Sequence, residues 1–396
     1  MSGISGFTNF LSKTKEEQNQ IIQNMTQAIK HRGPDGEGYY LDQTIALGHA
    51  HLALMQDEQN IQPLKVKLGG EEYVITFNGE IYNSPELKHK LKQLGHEFQT
   101  NSPAEILLRA YIHWKEDCLK HLNGMFAFAI WEVHNKKLFC ARDRLGAKPF
   151  FYTLTSDLQP LTSDIAFASE IKSLLTLPNF KAEINQNGLA EILTLLPSRT
   201  EGFGIFSGIE ELKGAHFLTW QAGELYIKKY WEFESKPHTD DCLTTAEKVR
   251  SLLKEAVLRQ MTPSVATLLS GGLDSSAITA IISSEYQKEN KNLQTYSFEF
   301  ADNDKYFKPS SFQPDSDTLW TAKVSNALKT HHTVLTDDTS DLIDNLKKAM
   351  LMRDLPGMAD VDASLLYFCG QIKKERNICL SGEAADELEG DRGNIA

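Results

Sequence analysis

The sequence predicts two regions of different fold class. The first is a layered α+β domain with antiparallel sheets, and the second an α/β domain with a doubly wound parallel sheet. Residues 1–200 hold short β-type runs and turns, interrupted by a few amphipathic helices. Residues 241–396 alternate helical and strand patterns, which marks βαβ units. A chain of 396 residues also exceeds one typical core, so two or three domains are expected, with 201–240 as the connecting region.

Ile21, Ile22, Met25, Ala28 and Ile29 fall at helical spacing. The turn-rich His31-Arg32-Gly33-Pro34-Asp35-Gly36 ends that helix. β-type runs follow at 45–54 and 73–77, and Asn78-Gly79-Glu80-Ile81-Tyr82-Asn83 comes next. Ser84-Pro85 reads as the cap of a helix with Leu87, Leu91 and Leu94 on one face and Gly95 near its end. Ser102-Pro103-Ala104-Glu105 has a capping-box pattern with Pro at the first helical position. Its helix carries Ile106, Leu107, Ala110, Tyr111 and Trp114. Strand runs at 125–131, 137–142 and 149–152 follow. The second region reads as helix 245–259, strand 265–269, helix 275–286, strand 293–300, helix 318–328, strand 332–335, helices 340–352 and 363–375, and strand 377–380.

The formal net charge of −12 disfavours a nucleic-acid backbone as partner. Five cysteines, at 118, 140, 242, 369 and 379, form no C-x-x-C pair and are odd in number, so they read as buried free thiols in a reducing compartment. No apolar run is long enough to span a bilayer, and the N-terminus lacks a secretory signal pattern. No membrane and a cytoplasmic location are expected.

The segment Leu268-Leu269-Ser270-Gly271-Gly272-Leu273-Asp274-Ser275-Ser276 lies between a β-type run and a helical one. Strand, Gly-rich turn, helix aims backbone N–H groups and a helix N-terminus at one spot, which suits a phosphate. Gly271 and Gly272 allow close backbone approach, and Ser270, Ser275 and Ser276 add hydroxyls. Asp274 fits beside an anion only with Mg²⁺ between them. The pattern is not a Walker P-loop; it matches the pyrophosphate loop of the ATP pyrophosphatases. An ordinary Ser/Gly turn is the plainer alternative.

The blocks His31-Arg32-Gly33-Pro34-Asp35, Asn78-Gly79-Glu80-Ile81-Tyr82-Asn83, Asn123-Gly124-Met125-Phe126-Ala127-Phe128, Arg142-Asp143-Arg144-Leu145-Gly146 and Ala168-Ser169-Glu170 resemble a class II glutamine amidotransferase domain. The serine-glycine turn and Leu380-Ser381-Gly382-Glu383-Ala384-Ala385-Asp386-Glu387 resemble the synthetase half of the asparagine synthetase B family. The resemblance implies an Ntn-hydrolase-like αββα sandwich followed by an ATP-pyrophosphatase-type sheet. Members hydrolyse glutamine in the first domain and pass ammonia through an internal tunnel. In the second, ATP with Mg²⁺ adenylates the aspartate side chain, and ammonia displaces AMP.

Carried onto this chain, the resemblance makes Asn78 and Gly79 the oxyanion-hole pair and keeps Glu80 in the glutamine pocket. Three positions depart. The N-terminal nucleophile, a Cys in the family, is Ser2 once Met1 is removed. The Arg that clamps the glutamine α-carboxylate is replaced by His51 in Gly48-His49-Ala50-His51-Leu52. The Asp that binds the α-amine is replaced by Pro103. Charge-assisted hydrogen bonds are worth roughly 1.5–3 kcal/mol each, so glutamine would bind poorly even if Ser2 were active. The expectation is a folded domain that does not hydrolyse glutamine. A weak serine nucleophile at Ser2 and an engineered Cys-to-Ser change stay open, but neither accounts for His51 and Pro103. So does a changed substrate for a serine hydrolase.

In the synthetase half the resemblance assigns Ser270, Gly271, Gly272, Ser275 and Ser276 to pyrophosphate, Leu269 to adenine, and Ser297 and Phe298 to base or ribose. Gly382 belongs to the second loop, Glu383 to amide formation, and Asp274 with Asp386 to Mg²⁺. Capping a helix start is the plainer role for either aspartate. Arg353 through Asp362 weakly resembles an acceptor-side segment; a Pro-Gly turn before a helix capped by Asp362 is the alternative. His331-His332 reads as strand-edge structure.

Beyond Glu387 the family continues with a long, mostly helical tail, whereas residues 388–396 diverge, which implies a truncated synthetase domain. The surface such a tail covers is then exposed or left to a partner subunit or second copy. Two function classes follow. One is an ATP- and Mg²⁺-dependent ligase joining aspartate or a related carboxylate to ammonia or another amine. The other is a non-catalytic nucleotide- or partner-binding relative.

Overall fold

The alternation of side chains along the strands (successive residues face opposite sides) builds the first unit. The structure is a computed structural model that describes residues 1–8, 14–53, 62–155, 164–309, 316–337, 342–383 and 385. It divides into two units, Met1–Ser235 and Lys236–Ala396. The first unit's strands are β1 (Gly3–Thr8), β2 (Gly36–Leu41), β3 (Ile45–His51), β4 (Leu64–Leu68), β5 (Glu71–Ile81), β6 (Gly124–Glu132), β7 (Lys137–Arg142), β8 (Phe151–Thr155), β9 (Asp164–Ala168), β10 (Ile209–Glu211), β11 (His216–Gln221) and β12 (Glu224–Lys229). They form two six-stranded sheets, ordered β10-β8-β9-β1-β3-β2 and β12-β11-β7-β6-β5-β4. Every pairing is antiparallel.

On β6, Phe126, Phe128 and Ile130 pack against the helices Ser84–Gln93 and Pro103–Trp114. Ala127, Ala129 and Trp131 face the other way and join Ile4 and Leu47 of the first sheet. The helix Lys15–Ala28 covers the first sheet's outer face, where Thr26 Oγ1 lies 3.0 Å from Ser5 Oγ. The layers are therefore helix, sheet, sheet, helix, the αββα sandwich that the resemblance implied. Residues 201–240, read from sequence as a connector, contain β10, β11 and β12, which hydrogen-bond into these sheets.

The second unit holds a four-stranded parallel sheet of β13 (Ala266–Leu268), β14 (Gln294–Phe300), β15 (His331–Asp337) and β16 (Cys379–Leu380), ordered β15-β14-β13-β16. The helices Leu273–Lys288 and Asp317–Leu328 connect its first three strands. The helices Leu342–Arg353 and Ala359–Lys373 lead to β16 on the far side of β13. Val265, Ile282, Tyr286 and Leu293 are buried together beneath this sheet's helices. No described helix is long and apolar enough to cross a membrane.

Several local expectations are corrected. The N-cap of the helix Ser84–Gln93 is Asn83, without a side-chain cap, and Leu94 is exposed. Ser102 does cap the next helix, accepting from the Ala104 N–H at 3.2 Å, but Glu105 does not close a capping box. Its buried carboxylate instead accepts from the N–H groups of Gln99 and Thr100 and from the Thr100 hydroxyl. Met358, not Asp362, is the N-cap of the helix Ala359–Lys373; Asp362 accepts from the Met358 N–H at 2.8 Å and pairs with Arg353. All five cysteines are free, but Cys242 and Cys369 are exposed, because neither lies on a face packed into a core.

His49 lies between the two sheets, fully buried, with Nδ1 3.3 Å from Thr76 Oγ1. Burial, reinforced by the neighbouring His51, lowers its pKa to about 3. The folded state thus keeps this imidazole neutral while the unfolded chain protonates it near its ordinary value. Its contribution to stability is complete above the unfolded pKa and is lost as pH falls toward the folded one. Lowering the pH from about 7 to about 5 is expected to cost ~2 kcal/mol more in the unmodified chain than in His49→Asn. Urea unfolding at both pH values checks this, and parallel losses in the two proteins would contradict it.

Candidate functional site

The parallel sheet reverses its strand order at β13, which has β14 on one side and β16 on the other. Ligands of such sheets bind in the crevice at the carboxyl ends of the strands flanking that switch. The turn after β13 and the turn after β16 meet there. A Cβ placed on Gly382 would lie 2.9 Å from the Ser275 nitrogen and 3.0 Å from Asp274 Cβ. The two loops singled out in the sequence are thus in contact.

Gly271 has φ +86°, and a Cβ there would sit 2.7 Å from both the Thr321 nitrogen and Trp320 Cβ. Only glycine fits that backbone without strain. Gly272 has no such crowding: its Cβ would meet only Ser270 Oγ, at 3.4 Å. The turn holds itself together through serine hydroxyls. Ser270 Oγ and Ser275 Oγ are 3.0 Å apart, the Gly272 N–H donates to Ser270 Oγ at 3.3 Å, and Ser275 Oγ accepts from the Ser270 N–H at 3.2 Å. Ser276 Oγ is buried with no partner among the described residues. The helix then starts at Leu273, and its first N–H groups have no intrahelical acceptor. One short turn thus brings serine hydroxyls and a helix N-terminus together, the groups from which anion sites are built.

Beside this turn lies a cavity of about 260 Å³. Leu269, Ser270, Ser297, Phe298 and Glu383 line it, as do Glu299, Asp317, Thr318 and Thr321, which sequence reasoning missed. Their common signal is position, since they sit at the end of β14 and the start of the helix Asp317–Leu328. Phe298 stacks on Phe368 with ring centroids 4.1 Å apart, and Thr318 Oγ1 donates to Glu299 Oε1 at 3.1 Å. Asp274 stands at the start of the helix, beside Gly382. Asp386 falls outside the described residues, and those that are described form no cluster of three metal-binding side chains. A hard cation between Asp274 and phosphate oxygens suits this donor chemistry, with the remaining ligands from water or the phosphates.

The other candidate residues lie in the first unit. Ser2, His49, His51, Thr76, Asn78 and Glu80 share the strand parity that faces the space between the sheets. Ser2 Oγ accepts from the Leu52 N–H at 3.1 Å. Asn78 is buried, and neither its amide nitrogen nor its amide oxygen has a partner among the described residues. At Gly79 a Cβ would lie 2.1 Å from the Met125 carbonyl oxygen, so this strand crossing admits only glycine. Burial raises the Glu80 pKa, opposed by Lys148 and the N-terminal amine, and burial lowers that of Lys148. Pro103 is the first residue of its helix, and the carboxylate two positions on, Glu105, is spent on the loop before it. His51 Nδ1 is buried without a partner.

Other motif residues prove structural in this geometry. Glu170 pairs with His31, Arg32 and Lys172. Burial opposes its ionisation, but these partners outweigh it and hold the pKa at about 2. Arg142 donates to the carbonyls of Lys148, Leu212 and Gly146, and Asp143 accepts from the N–H groups of Leu145, Ala147 and Lys148.

Comparison with known proteins follows this division. Residues 1–231 match the glutamine amidotransferase domain family, and residues 248–390 match the asparagine synthase family. Asparagine synthetase (glutamine-hydrolyzing) 3 of Bacillus subtilis is 46% identical over 98% of this chain and 63% of its own length. Asparagine synthetase (glutamine-hydrolyzing) 1 of the same organism is 33% identical over 98% of this chain and 58% of its own length. The chain thus spans about three-fifths of these curated relatives. Among solved structures, glutamine phosphoribosylpyrophosphate amidotransferase from B. subtilis aligns with 98% of this chain and 92% of its own, at 14% identity and a TM-score of 0.44. With both halves matched in order, the chain belongs to the asparagine synthetase family.

Proposed function

We propose that the chain is an ATP-dependent, amide-forming ligase of asparagine-synthetase type that draws on free ammonia or another amine. The observation that carries this reading is the Ser270–Ser276 turn, whose Gly271 leaves no room for a side chain and which leads straight into a helix N-terminus beside the cavity. In this reading Ser270, Gly271, Gly272, Ser275 and Ser276 hold the pyrophosphate portion of ATP, with Leu269, Ser297 and Phe298 around the nucleoside. Asp274, with Asp386, would hold Mg²⁺, which offsets phosphate charge. A carboxylate oxygen of aspartate, or a related acid, attacks the α-phosphorus, and the bond to pyrophosphate breaks. The amine then attacks the acyl carbon, AMP leaves with the bonding electron pair, and the nitrogen loses a proton. In this reading Glu383, which lines the cavity, acts in that second step.

The first unit is proposed to keep its fold without hydrolysing glutamine. Neither Pro103 nor His51 can supply the charged clamps that the amino-acid zwitterion needs. In this reading Asn78 and Gly79 are what remains of an oxyanion hole, which the unpaired Asn78 amide supports, and Ser2 stands where the family has its nucleophile.

Pyrophosphate release from ATP and Mg²⁺ with aspartate, measured with ammonium, with glutamine and with neither, tests this reading. Release with ammonium but not glutamine is expected. Equal release with glutamine would contradict the inactive glutaminase and make Ser2 a working nucleophile, and no release at all would contradict the ligase. Separately, Gly271→Ala is expected to weaken ATP binding about tenfold or more, because positive φ and the Thr321 contact cannot both be kept. Gly370→Ala, on the helix Ala359–Lys373 with open space around it, should change it by no more than about twofold. Calorimetric titration with ATP checks the pair, and equal affinities would contradict the assignment of the turn.

A further inference from the structure

Behind Ser297, away from the cavity, runs a chain of short polar contacts that none of the motifs contains. His332 Nε2 lies 3.0 Å from Ser297 Oγ, and His332 Nδ1 lies 2.9 Å from Thr295 Oγ1. Thr295 Oγ1 is 3.1 Å from Thr330 Oγ1, which is 2.8 Å from Ser325 Oγ. Four hydroxyls and one imidazole thus connect the helix Asp317–Leu328 to the cavity wall across β14 and β15. His332 itself does not line the cavity; Ser297 does.

A neutral imidazole has one N–H and one bare nitrogen, so the chain has a direction. In one direction Ser325 donates to Thr330, Thr330 to Thr295, Thr295 to Nδ1, and the Nε2–H to Ser297. All four contacts are then satisfied, and the one proton left over, on Ser297, is free to donate into the cavity. In the other direction the proton left over is that of the Ser325 hydroxyl, at the far end of the chain. Ser297 would then spend its own proton on the imidazole. Burial lowers the His332 pKa, which keeps the ring in the neutral form this relay needs.

We infer that His332 is a positioning residue that fixes Ser297 as a hydroxyl donor toward an acceptor nitrogen or oxygen of a nucleoside in the cavity. The inference rests on the ATP-binding reading above and adds to it a group outside the motif loops. A histidine that only packed would not need a hydroxyl on each ring nitrogen, one of them on the cavity wall. No residue of the pyrophosphate turn is a member of this relay, so the two parts of the nucleotide should respond separately.

The test is calorimetric titration of the full chain with ATP and, separately, with pyrophosphate, both with Mg²⁺. Removing one hydrogen bond of about 1 kcal/mol corresponds to about fivefold, so His332→Ala and Ser297→Ala should each weaken ATP binding by that factor and leave pyrophosphate binding unchanged. The double variant should be no weaker than Ser297→Ala alone. Nitrogen NMR of the unmodified chain needs no substitution and should show the Nε2–H tautomer at His332. Equal weakening of ATP and pyrophosphate binding by His332→Ala, additivity in the double variant, or the Nδ1–H tautomer would each overturn the inference. If the unmodified chain binds pyrophosphate but not ATP, the nucleotide reading falls, and this inference with it.

Discussion

The approach of the Gly271 backbone to the first turns of the helix Asp317–Leu328 is the constraint on which the shape of the cavity depends. A single Cβ would collide with the Thr321 amide and Trp320. This contact brings the turn after β13 against the helix whose first residues, Asp317 and Thr318, wall the cavity. The same turn touches Gly382 from the far side, so the loop after β16 is fixed by it too. Three segments distant in sequence are therefore set by two places where only glycine fits. The parallel sheet contributes the rest, because its change of direction at β13 opens the crevice that they fill.

The first unit rests on a different constraint. Its two sheets are held by alternation on β5, β6 and β7, where one parity packs against helices and the other against the facing sheet. That packing does not involve Ser2, His51 or Pro103. A pocket at the rim of such a sandwich can lose its charged clamps without cost to the core. The buried ionic groups nearby have structural employment instead, with Glu170 neutralised by His31, Arg32 and Lys172, and Arg142 paired with Glu211. Asn78, with both amide atoms buried and unpaired among the described residues, and His51, with Nδ1 buried and unpaired, have no such employment. An unsatisfied polar group of this kind costs about 1–3 kcal/mol, a cost in keeping with the oxyanion-hole role proposed for Asn78.

Fold class and the strand, glycine turn and helix around Ser270–Ser276 were legible in the sequence because they depend on local pattern. Period-two alternation, the one-for-one exchange of strands and helices, and a Gly-Gly turn between them need no knowledge of distant partners. What escaped was set by tertiary partners. Glu105 looks like half of a capping box, yet the loop at Gln99 and Thr100 offers its carboxylate more donors. The strand β5 runs on through Asn78 and Gly79 because β6 pairs with it to the end, a partner that the turn-like Asn-Gly dipeptide conceals. Three short strands between 209 and 229 lack strong alternation and acquire their structure from the sheets they join. Glu299, Thr318 and His332 reach the cavity or its wall through contacts between strands and helices that no single stretch of sequence reveals.

The account's central claim is that the second unit activates a carboxylate with ATP independently of the first. Aspartate-dependent exchange of labelled pyrophosphate into ATP, in the absence of any nitrogen donor, measures that step alone. Exchange that requires both aspartate and Mg²⁺, and that glutamine does not alter, is the predicted result. An absence of exchange in protein that binds ATP would contradict the claim and leave the turn as a nucleotide-binding site without the chemistry.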